Sequence, residues 1–306
     1  MKRQTILITG SKGLVGSSFI ENIAGKKFAD ILTPLHSELD ISKKSMLNHY
    51  IEKHKPDIII NFAAHRNANT AEEQRNNKKG TAWRTNVTGT KNIVSISKKN
   101  GIYIVHISTD MVFPGQSNDK GPYCELQKPK KNLRRLSWYG WTKLLAENEV
   151  NSYDNSAIVR IGNVTKPIYD PTLDYVGKIL WLNDKKKLYP LFDDQFITLS
   201  YLPDISRTIS ALLKNKLRGV FHVASRDLLT PFEMAEYLLL KSRGIKNIVK
   251  RISIDEYLKK APNRYPKHGG LMSNETQKRL GLKFGSWREI VDNFIKYADN
   301  TRGKQL

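Results

Sequence analysis

The sequence predicts an α/β fold built on a doubly wound parallel sheet, with a smaller α/β domain toward the C-terminal end. Short apolar runs alternate with helix-like segments through the first 162 residues. The strand-like runs are apolar throughout rather than alternating, and a glycine-rich turn follows the first of them directly. Apolar strands separated by helices are typical of a parallel sheet that helices cover on both faces.

Five strands and four helices account for the first half of the chain. The strands are predicted at residues 5–9, 31–35, 57–60, 102–108 and 157–161. The helices between them are predicted at residues 14–24, 44–53, 80–99 and 137–150. The third helix is expected to end before Asn100-Gly101, a pair that commonly stops a helix.

The pattern changes after residue 162. Residues 163–196 carry scattered prolines and little periodicity, so we expect irregular structure there. A helix at 203–213, a strand at 220–224 and a helix at 230–241 follow, and Thr230 with Glu233 predicts a capping box for the last helix. We expect one domain at residues 1–162 plus about 197–225, and a second at about 163–196 and 226–306.

The composition is strongly basic, with 51 Lys and Arg against 29 Asp and Glu and a net charge of +22. Such a charge favours either an anionic partner or a lysine-rich surface that keeps the protein soluble. Lys outnumbers Arg 35 to 16, which favours the surface interpretation. Since no nucleic-acid recognition motif accompanies the charge, we expect no nucleic-acid partner.

The cysteine count and the hydropathy of the sequence indicate the cellular compartment. Cys124 is the single cysteine, so an intrachain disulfide and a Cys-rich metal site are excluded, and no metal is expected. No uninterrupted apolar run approaches the roughly 18–20 residues of a membrane span. The basic N-terminus runs into Lys12 and glycines, which is typical of a strand and loop rather than a signal peptide. We therefore expect a cytoplasmic protein with no membrane partner.

A glycine-rich loop joins the first predicted strand to the first helix. Its residues are Gly10, Ser11, Lys12, Gly13, Leu14, Val15 and Gly16. Glycine permits a tight turn, a close approach of the backbone to a pyrophosphate and close helix–strand packing. The helix N-terminus offers free N–H groups and the positive end of its dipole to phosphates. At this junction the spacing predicts dinucleotide binding rather than a plain structural turn.

The end of the second strand indicates which dinucleotide binds. An acidic residue there would hold the ribose 2′-hydroxyl of NAD. This chain has His36 and Ser37 instead, with Lys12 inside the glycine loop. Because a cation and small donors suit a 2′-phosphate, we expect NADP(H) to be preferred. Glu38 keeps NAD(H) open as an alternative.

Two short segments complete the predicted cofactor site. Asp40, followed by Ile41, either accepts a hydrogen bond from the adenine amino group or caps the next helix. Phe62, Ala63 and Ala64 close the third strand. Small residues at that point let the nicotinamide-side ribose approach the sheet, although they are also ordinary at the start of a helix.

Hydroxyl-bearing residues end the fourth strand, and a Tyr/Lys pair lies on the following helix. The strand ends in Ser-Thr-Asp (108–110), and Tyr139 and Lys143 are four positions apart on the helix. Because such a pair shares one helix face, the Lys143 ammonium is expected to lower the Tyr139 pKa from about 10. A tyrosine so tuned can act as a general acid or base. The other pair with this spacing, Tyr237 and Lys241, is interpreted as a solvated helix face.

The order of these motifs resembles that of the extended short-chain dehydrogenase/reductases. The segments are TGSKGLVG, NFAA, STDMVFPG and YGWTK, at residues 9–16, 61–64, 108–115 and 139–143. HSELDIS, DDQF and the C-terminal stretch ending in WREIV resemble, more narrowly, the dTDP-4-dehydrorhamnose reductase-like group, over nearly the whole chain. That group reduces the 4-keto group of a nucleotide-linked 6-deoxysugar. The resemblance therefore implies an NAD(P)H-dependent oxidoreductase of polysaccharide-precursor synthesis.

The resemblance also implies a Rossmann domain, a smaller substrate-binding domain and a set of site residues. Thr109 would hydrogen-bond the substrate oxygen, Tyr139 would protonate it, and Lys143 would bind the nicotinamide ribose and tune Tyr139. Asn86 joins the cofactor-binding residues. The implied substrate contacts are His65, Thr109, Asp110, Met111, Asn163 and Arg264. A homodimer is compatible with the resemblance.

The chain departs from the group's pattern on the substrate side, which leaves the sugar and the nucleotide open. The usual Val-Asp pair after His65 appears as Ala68-Asn69, and Gly-Asn-Val (162–164) stands where the group usually has Trp. Sugar 4,6-dehydratases use an Asp-Glu pair for elimination. Residues 109–111 are Thr-Asp-Met and lack that pair, which argues against a dehydratase. The alternatives are an epimerase/reductase resembling GDP-fucose synthase, or a non-catalytic NADP-binding subunit resembling the methionine adenosyltransferase beta subunit.

Overall fold

A six-stranded sheet organises the computed structural model, which describes residues 3–24, 29–169 and 174–302. In chain order the strands are β1 (Gln4–Thr9), β2 (Ala29–Leu32), β3 (Ile58–Asn61), β4 (Tyr103–Thr109), β5 (Ser156–Ile161), β6 (Val164–Thr165), β7 (Leu191–Phe192), β8 (Ser200–Tyr201), β9 (Gly219–Val223) and β10 (Arg251–Ile252). The sheet has the order β2-β1-β3-β4-β5-β9, while β6 pairs with β8 and β7 with β10. β1 pairs in parallel with β2 and β3, and β3 with β4, which confirms the predicted doubly wound sheet.

The strand order reverses at β1. The chain passes from β1 to its neighbour β2 and then returns to β3 on the other side of β1. In open parallel sheets, ligands bind outside the carboxyl ends of the strands at such a reversal. Thr9 and Asn61 are register partners at the carboxyl ends of β1 and β3. The loops that follow these two residues are therefore where a ligand is expected.

Helices connect the strands. In chain order they are α1 (Leu14–Ile23), α2 (Lys44–His54), α3 (Ala68–Glu72), α4 (Thr81–Trp83), α5 (Thr90–Asn100), α6 (Trp138–Asn151), α7 (Tyr175–Asp184), α8 (Leu202–Asn215), α9 (Pro231–Arg243), α10 (Ile254–Lys260), α11 (Asn274–Leu280) and α12 (Trp287–Arg302). The helix predicted at 80–99 contains a π-helical turn, Arg84–Gly89, between α4 and α5. Such turns are frequent at functional sites.

Two predictions of local structure are wrong. β2 ends at Leu32 rather than at residue 35, because the chain turns there: the Leu35 N–H donates to the Glu38 carboxylate at 2.7 Å. Residues 163–196, expected to be irregular, contain the ten-residue helix α7. Its N-cap, Asp174, accepts a hydrogen bond from the Gly177 N–H at 2.6 Å. An acidic N-cap before an apolar run was the signal that sequence reasoning missed.

The chain divides into two compact units. The first comprises Met1–Val112, Pro129–Arg160 and Ser206–Phe221, and the second comprises Phe113–Lys128, Ile161–Ile205 and His222–Leu306. In the first unit, Leu7, Ile59 and Ile104 of the sheet pack with Leu47 of α2 and Ile93 of α5. Burial of such side chains supplies the main stabilisation of a core of this kind.

The core of the second unit is a separate cluster. Leu180 of α7, Leu238 of α9 and Phe294 of α12 are buried in it. The predicted capping box of α9 is confirmed, because Thr230 Oγ1 accepts from the Glu233 N–H and the Glu233 carboxylate accepts from the Thr230 N–H, both at 3.1 Å. Within the described residues, no helix is both long and apolar enough to cross a membrane.

Candidate active site

The loop after β1 forms a backbone cradle at the start of α1. The Gly13 N–H donates to the Gly10 carbonyl at 3.0 Å and closes the turn. Gly13 is the N-cap of α1, and no side chain in the described part of the chain caps it. The first-turn N–H groups therefore face the loop, where an anion can accept from them. Of the other predicted loop residues, Ser11 and Gly16 are buried, Leu14 and Val15 half-buried and Lys12 exposed.

Gly10 brings the ends of β1 and β3 together. It has φ +68°, and a Cβ built on it would lie 2.5 Å from the backbone nitrogen of Ala63 and 2.6 Å from the carbonyl carbon of Phe62. Phe62, Ala63 and Ala64 are half-buried and follow β3 directly. A residue other than glycine would thus disrupt the loop. This close approach, at the strand reversal, fits the requirements of a dinucleotide pyrophosphate.

Two basic side chains lie near Asp40, which follows the turn after β2. His36 and Ser37 are exposed in the turn after β2. The His36 Nε2 lies 4.0 Å from an Asp40 carboxylate oxygen, and an Arg84 guanidinium nitrogen lies 3.9 Å from it. Sequence reasoning missed Arg84, which the π-helical turn brings to this place. One arginine carries little signal in a chain of this basic composition.

Asp40 does not cap α2. The N-cap of α2 is Lys43, so the capping interpretation is wrong. Asp40 instead accepts hydrogen bonds from the Ser42 N–H at 2.9 Å and the Ser42 hydroxyl at 2.7 Å. Burial alone would raise the Asp40 pKa, but these bonds and the nearby His36 hold that pKa below its ordinary value. Ile41 is buried against the helix at Gly89. The adenine contact of Asp40 stays a prediction.

Asn86 links the loop after β3 to α6. Its Oδ1 accepts from the His65 N–H at 2.8 Å, and its Nδ2 donates to the His65 carbonyl at 3.1 Å and to Thr142 Oγ1 at 3.0 Å. The His65 ring nitrogens contact Thr70 Oγ1 at 3.0 Å and Thr81 Oγ1 at 3.3 Å. These contacts give both residues a role in shaping the site. A direct cofactor contact of Asn86 and a direct substrate contact of His65 stay predictions.

Thr109 and Tyr139 meet at the carboxyl end of β4. Thr109 Oγ1 donates to Asp110 Oδ1 at 3.0 Å and accepts from the Met111 N–H at 3.2 Å, and it lies near enough to Tyr139 to affect the pKa of the phenol. Gly140, on α6, has no Cβ and lets the helix lie directly on the Met111 carbonyl. The structure thus brings together the residues that the sequence predicts at the ends of β4 and at the start of α6.

The two acidic groups of this cluster have raised pKa values. Burial raises the pKa of Asp110 to about 6, against the effect of the hydrogen bond from Thr109. Burial also raises the pKa of Tyr139 to about 12, and the neighbouring Asp110 carboxylate adds to it. The Thr109 hydroxyl and the Arg66 guanidinium lower the Tyr139 pKa and so act in the opposite direction. Tyr139 is therefore a neutral phenol at neutral pH and can donate a proton.

The expectation that Lys143 lowers the Tyr139 pKa is wrong in this structure. The Lys143 Nζ donates to the Ile107 carbonyl at 2.6 Å and lies 3.1 Å from the His106 Nε2. Lys143 is buried, which lowers its pKa to about 8. Helical spacing places the two residues on one face, but contacts with β4 decide where the amine points.

Arg66 is a second basic residue that sequence reasoning missed. It is exposed, directly follows His65, and acts on Tyr139 as a nearby positive charge. The signal available in the sequence was its position just after the end of β3, where the loops that hold ligands begin.

Asn163 and Arg264 belong to the second unit. Asn163 has φ +47° and donates from Nδ2 to the Thr198 carbonyl at 3.1 Å. Arg264 is half-buried beside a cavity of about 540 Å³, which Asn263, Tyr265 and His268 help to line. Their substrate contacts stay predictions. Among the described residues, no three His, Cys, Asp or Glu side chains form a group that could hold a metal.

The reversed parallel sheet with a backbone cradle and the Thr109–Tyr139 hydroxyl pair define an extended short-chain dehydrogenase/reductase. Within that class the chain belongs to the RmlD substrate binding domain family, which matches residues 4–300. The resemblance drawn from the motifs is thereby confirmed.

Named relatives agree with this assignment. A dTDP-4-dehydrorhamnose reductase from Aggregatibacter actinomycetemcomitans is 23% identical over 305 residues, covering 96% of this chain and 99% of its own. A dTDP-4-keto-6-deoxy-D-glucose reductase from Streptomyces niveus is 27% identical over 232 residues, covering 75% of each chain. These two proteins are similar to the present chain over 75% and 96% of its length.

Solved structures share the fold. The dTDP-4-dehydrorhamnose reductase of Bacillus anthracis in complex with NADP has a TM-score of 0.83 at 24% identity, covering 96% of this chain and 99% of its own. The Bordetella bronchiseptica enzyme WbmG in complex with NAD has a TM-score of 0.76 at 16% identity, covering 98% and 95%. At these identities the likeness establishes the fold.

Proposed function

We propose that the protein is an NADPH-dependent reductase that adds hydride to the C4 ketone of a nucleotide-diphospho-4-keto-6-deoxysugar. The observation that carries the proposal is the placement of the Thr109 hydroxyl beside Tyr139 at the carboxyl end of β4, in the unit that holds the glycine loop. Relatives named as reductases of dTDP-linked keto sugars support the substrate class. The same unit would bind the cofactor, and the second unit would bind the substrate.

Ketone reduction needs a hydride on carbon and a proton on oxygen. The nicotinamide supplies the hydride when it is bound. Tyr139, with its pKa near 12, holds its proton at neutral pH and donates it to the developing alkoxide. Thr109 turns its hydroxyl hydrogen from Asp110 to the same oxygen and stabilises the charge that forms there. Lys143 would bind the nicotinamide ribose hydroxyls.

The preference for NADP(H) rests on charge near the turn after β2. Lys12 and Arg84 supply positive charge, His36 an imidazole and Ser37 a hydroxyl, on exposed positions of the first unit. One oxygen of the exposed Glu38 carboxylate accepts from the Leu35 N–H at 2.7 Å, so this carboxylate is partly engaged by its own turn. A 2′-phosphate is favoured by such a set of cations, whereas a free carboxylate would favour the 2′-hydroxyl of NAD.

A panel of 4-keto-6-deoxysugar nucleotides, differing in nucleotide and sugar, tests the proposal. Each is mixed with the protein and NADPH, and the loss of nicotinamide absorbance is followed. We expect consumption with at least one member and none with the Tyr139→Phe variant. NADPH binding without consumption of any panel member would favour the non-catalytic, regulatory alternative. Equal consumption by the Tyr139→Phe variant would contradict the assignment of the proton donor.

A further inference from the structure

A chain of buried polar side chains crosses the sheet and ends on Lys143. Thr9 Oγ1 donates to Asn61 Oδ1 at 2.7 Å, and Asn61 Nδ2 lies 3.1 Å from the His106 Nδ1. The His106 Nε2 lies 3.1 Å from the Lys143 Nζ, which also donates to the Ile107 carbonyl at 2.6 Å. Thr9, Asn61, His106 and Lys143 are all buried. The chain thus joins the last residue of β1 to α6 through β3 and β4.

We propose that His106 is a positioning residue that acts through Lys143, holding the Lys143 amine at the end of β4 in either of its charge states. The inference rests on the proposed function, in which that amine binds the nicotinamide ribose. Imidazole suits the task because one ring nitrogen donates while the other accepts, and the tautomer can reverse. A hydroxyl and an amide complete the chain, and each of these groups can also donate or accept.

Each side chain in this row of hydrogen bonds keeps a partner in either charge state of Lys143. As described, Asn61 donates to the His106 Nδ1, so the ring hydrogen lies on Nε2 and faces the lone pair of a neutral Lys143 amine. When Lys143 is an ammonium, it donates to Nε2 and the ring hydrogen moves to Nδ1. The Asn61 amide then turns its oxygen to His106, and no buried group loses its partner. Leaving such a group unpaired would cost about 1–3 kcal/mol.

The surroundings keep His106 neutral, so it acts through its tautomer rather than its charge. Burial lowers the pKa of His106 well below its ordinary value, and the Lys143 charge adds to the effect. Lys143 also has Glu147 one helical turn away on α6, which acts to raise its pKa. The Glu147 carboxylate is held by the Arg160 guanidinium at 2.7 and 2.9 Å. Tyr139 lies one turn before Lys143 on the same helix.

A double-mutant cycle on the full chain tests the inference, with NADPH affinity measured by fluorescence titration. His106→Phe keeps the ring but removes both nitrogens, and it should weaken NADPH binding about tenfold. His106→Gln, whose amide oxygen can still accept from Lys143, should recover most of the loss. Tyr103→Phe, which removes a buried hydroxyl from the same strand, is the control and should bind NADPH as the wild type does.

The cycle is completed in the Lys143→Met background. If His106 acts through Lys143, then His106→Phe should add no further loss there. Losses that add in the double variant, or wild-type affinity in a folded His106→Phe variant, would overturn the inference. Failure of the proposed reduction is a separate result, because binding of NADPH is measured without a keto sugar.

A second measurement covers the case in which His106→Phe does not fold, or the wild type does not bind NADPH. The ¹⁵N NMR signals of histidine are compared between the wild type and Lys143→Met. The spectra are recorded below the Lys143 pKa of about 8, where the ammonium donates to Nε2 and the ring hydrogen of the neutral His106 lies on Nδ1. In Lys143→Met the Asn61 amide can donate to Nδ1, so the inference requires the ring hydrogen to move to Nε2 and the ¹⁵N shifts to change. Identical His106 shifts in the two proteins would overturn it.

Discussion

The backbone nitrogen of Ala63 occupies the space in which any residue but glycine at position 10 would place its Cβ. The separation from an ideal Cβ would be 2.5 Å, with the Phe62 carbonyl carbon at 2.6 Å. Both contacts are backbone atoms at the end of a buried strand, so they cannot move aside as a flexible side chain would. Glycine at this position therefore lets the ends of β1 and β3 approach closely. The same approach shapes the loop in which a pyrophosphate is expected.

Gly10→Ala should consequently destabilise the protein by roughly 2–4 kcal/mol, since strain in the left-handed region adds to the clash. The measurement is chemical denaturation, with NADPH affinity as a second readout. Gly101→Ala is the matched control, because Gly101 has φ +65° but nothing within 4 Å of its Cβ position. It should cost only the strain, about 1 kcal/mol. Equal losses in the two variants would show that the approach to Ala63 is not tight.

Local patterns predicted the site residues, and tertiary contacts decided what these residues do. The glycine spacing located the loop, and the four-residue interval placed Tyr139 and Lys143 on one helix. The interval could not show that the Lys143 amine turns to β4, because its partners His106 and Ile107 are 37 and 36 residues away in sequence. Arg66 could have been found only from its position after β3, since one more cation is uninformative among 51 basic residues.

Tyr139→Phe should abolish reduction while leaving NADPH affinity nearly unchanged. The phenol is the proposed proton donor, and the loss of a general acid lowers turnover by roughly 10²–10⁴-fold. Turnover is measured with whichever keto sugar the panel identifies. Tyr237→Phe is the control, because Tyr237 belongs to the other Tyr/Lys pair and donates to Asp292 at 2.8 Å on an exposed surface. Full turnover in the Tyr139 variant would remove this residue from the mechanism.

Lys12→Ala should weaken NADPH binding about tenfold and NADH binding much less, because a charge-assisted hydrogen bond to the 2′-phosphate is lost. Lys12 is exposed within the cradle, so the variant should fold normally. Dissociation constants for both cofactors are compared with those of Lys91→Ala, an exposed lysine of α5. An equal loss for the two cofactors would refute a specific 2′-phosphate role.

Asp110→Asn should stabilise the protein at pH 8 more than at pH 4. The folded-state pKa of Asp110 is raised from 3.8 to about 6 by burial. Below about pH 4 the carboxyl is protonated in both states; between pH 4 and 6 only the unfolded state ionises freely, so stability falls as the pH rises. Asparagine removes that penalty. The melting temperature is followed across this range, with the exposed Asp154→Asn as the control.

The ion pair of Arg160 with Glu147 joins β5 to α6, one helical turn after Lys143. Both side chains are at most 2% exposed, and the guanidinium binds the two carboxylate oxygens at 2.7 and 2.9 Å. Glu147→Gln removes the carboxylate that neutralises the buried Arg160 guanidinium, which should cost about 3–5 kcal/mol of unfolding free energy.

The same reasoning predicts that replacing both members of the pair is less harmful than replacing one. Arg160→Met combined with Glu147→Leu leaves no uncompensated charge, so this double variant should unfold at higher urea than Glu147→Gln. Asp30→Asn is the control, because its ion pair with Arg3, at 3.1 Å, is more than half exposed and should contribute below about 1 kcal/mol. A double variant less stable than the single one would contradict this prediction, because it would mean that α6 depends on the charges themselves. The pair would then also help to set the environment of Lys143.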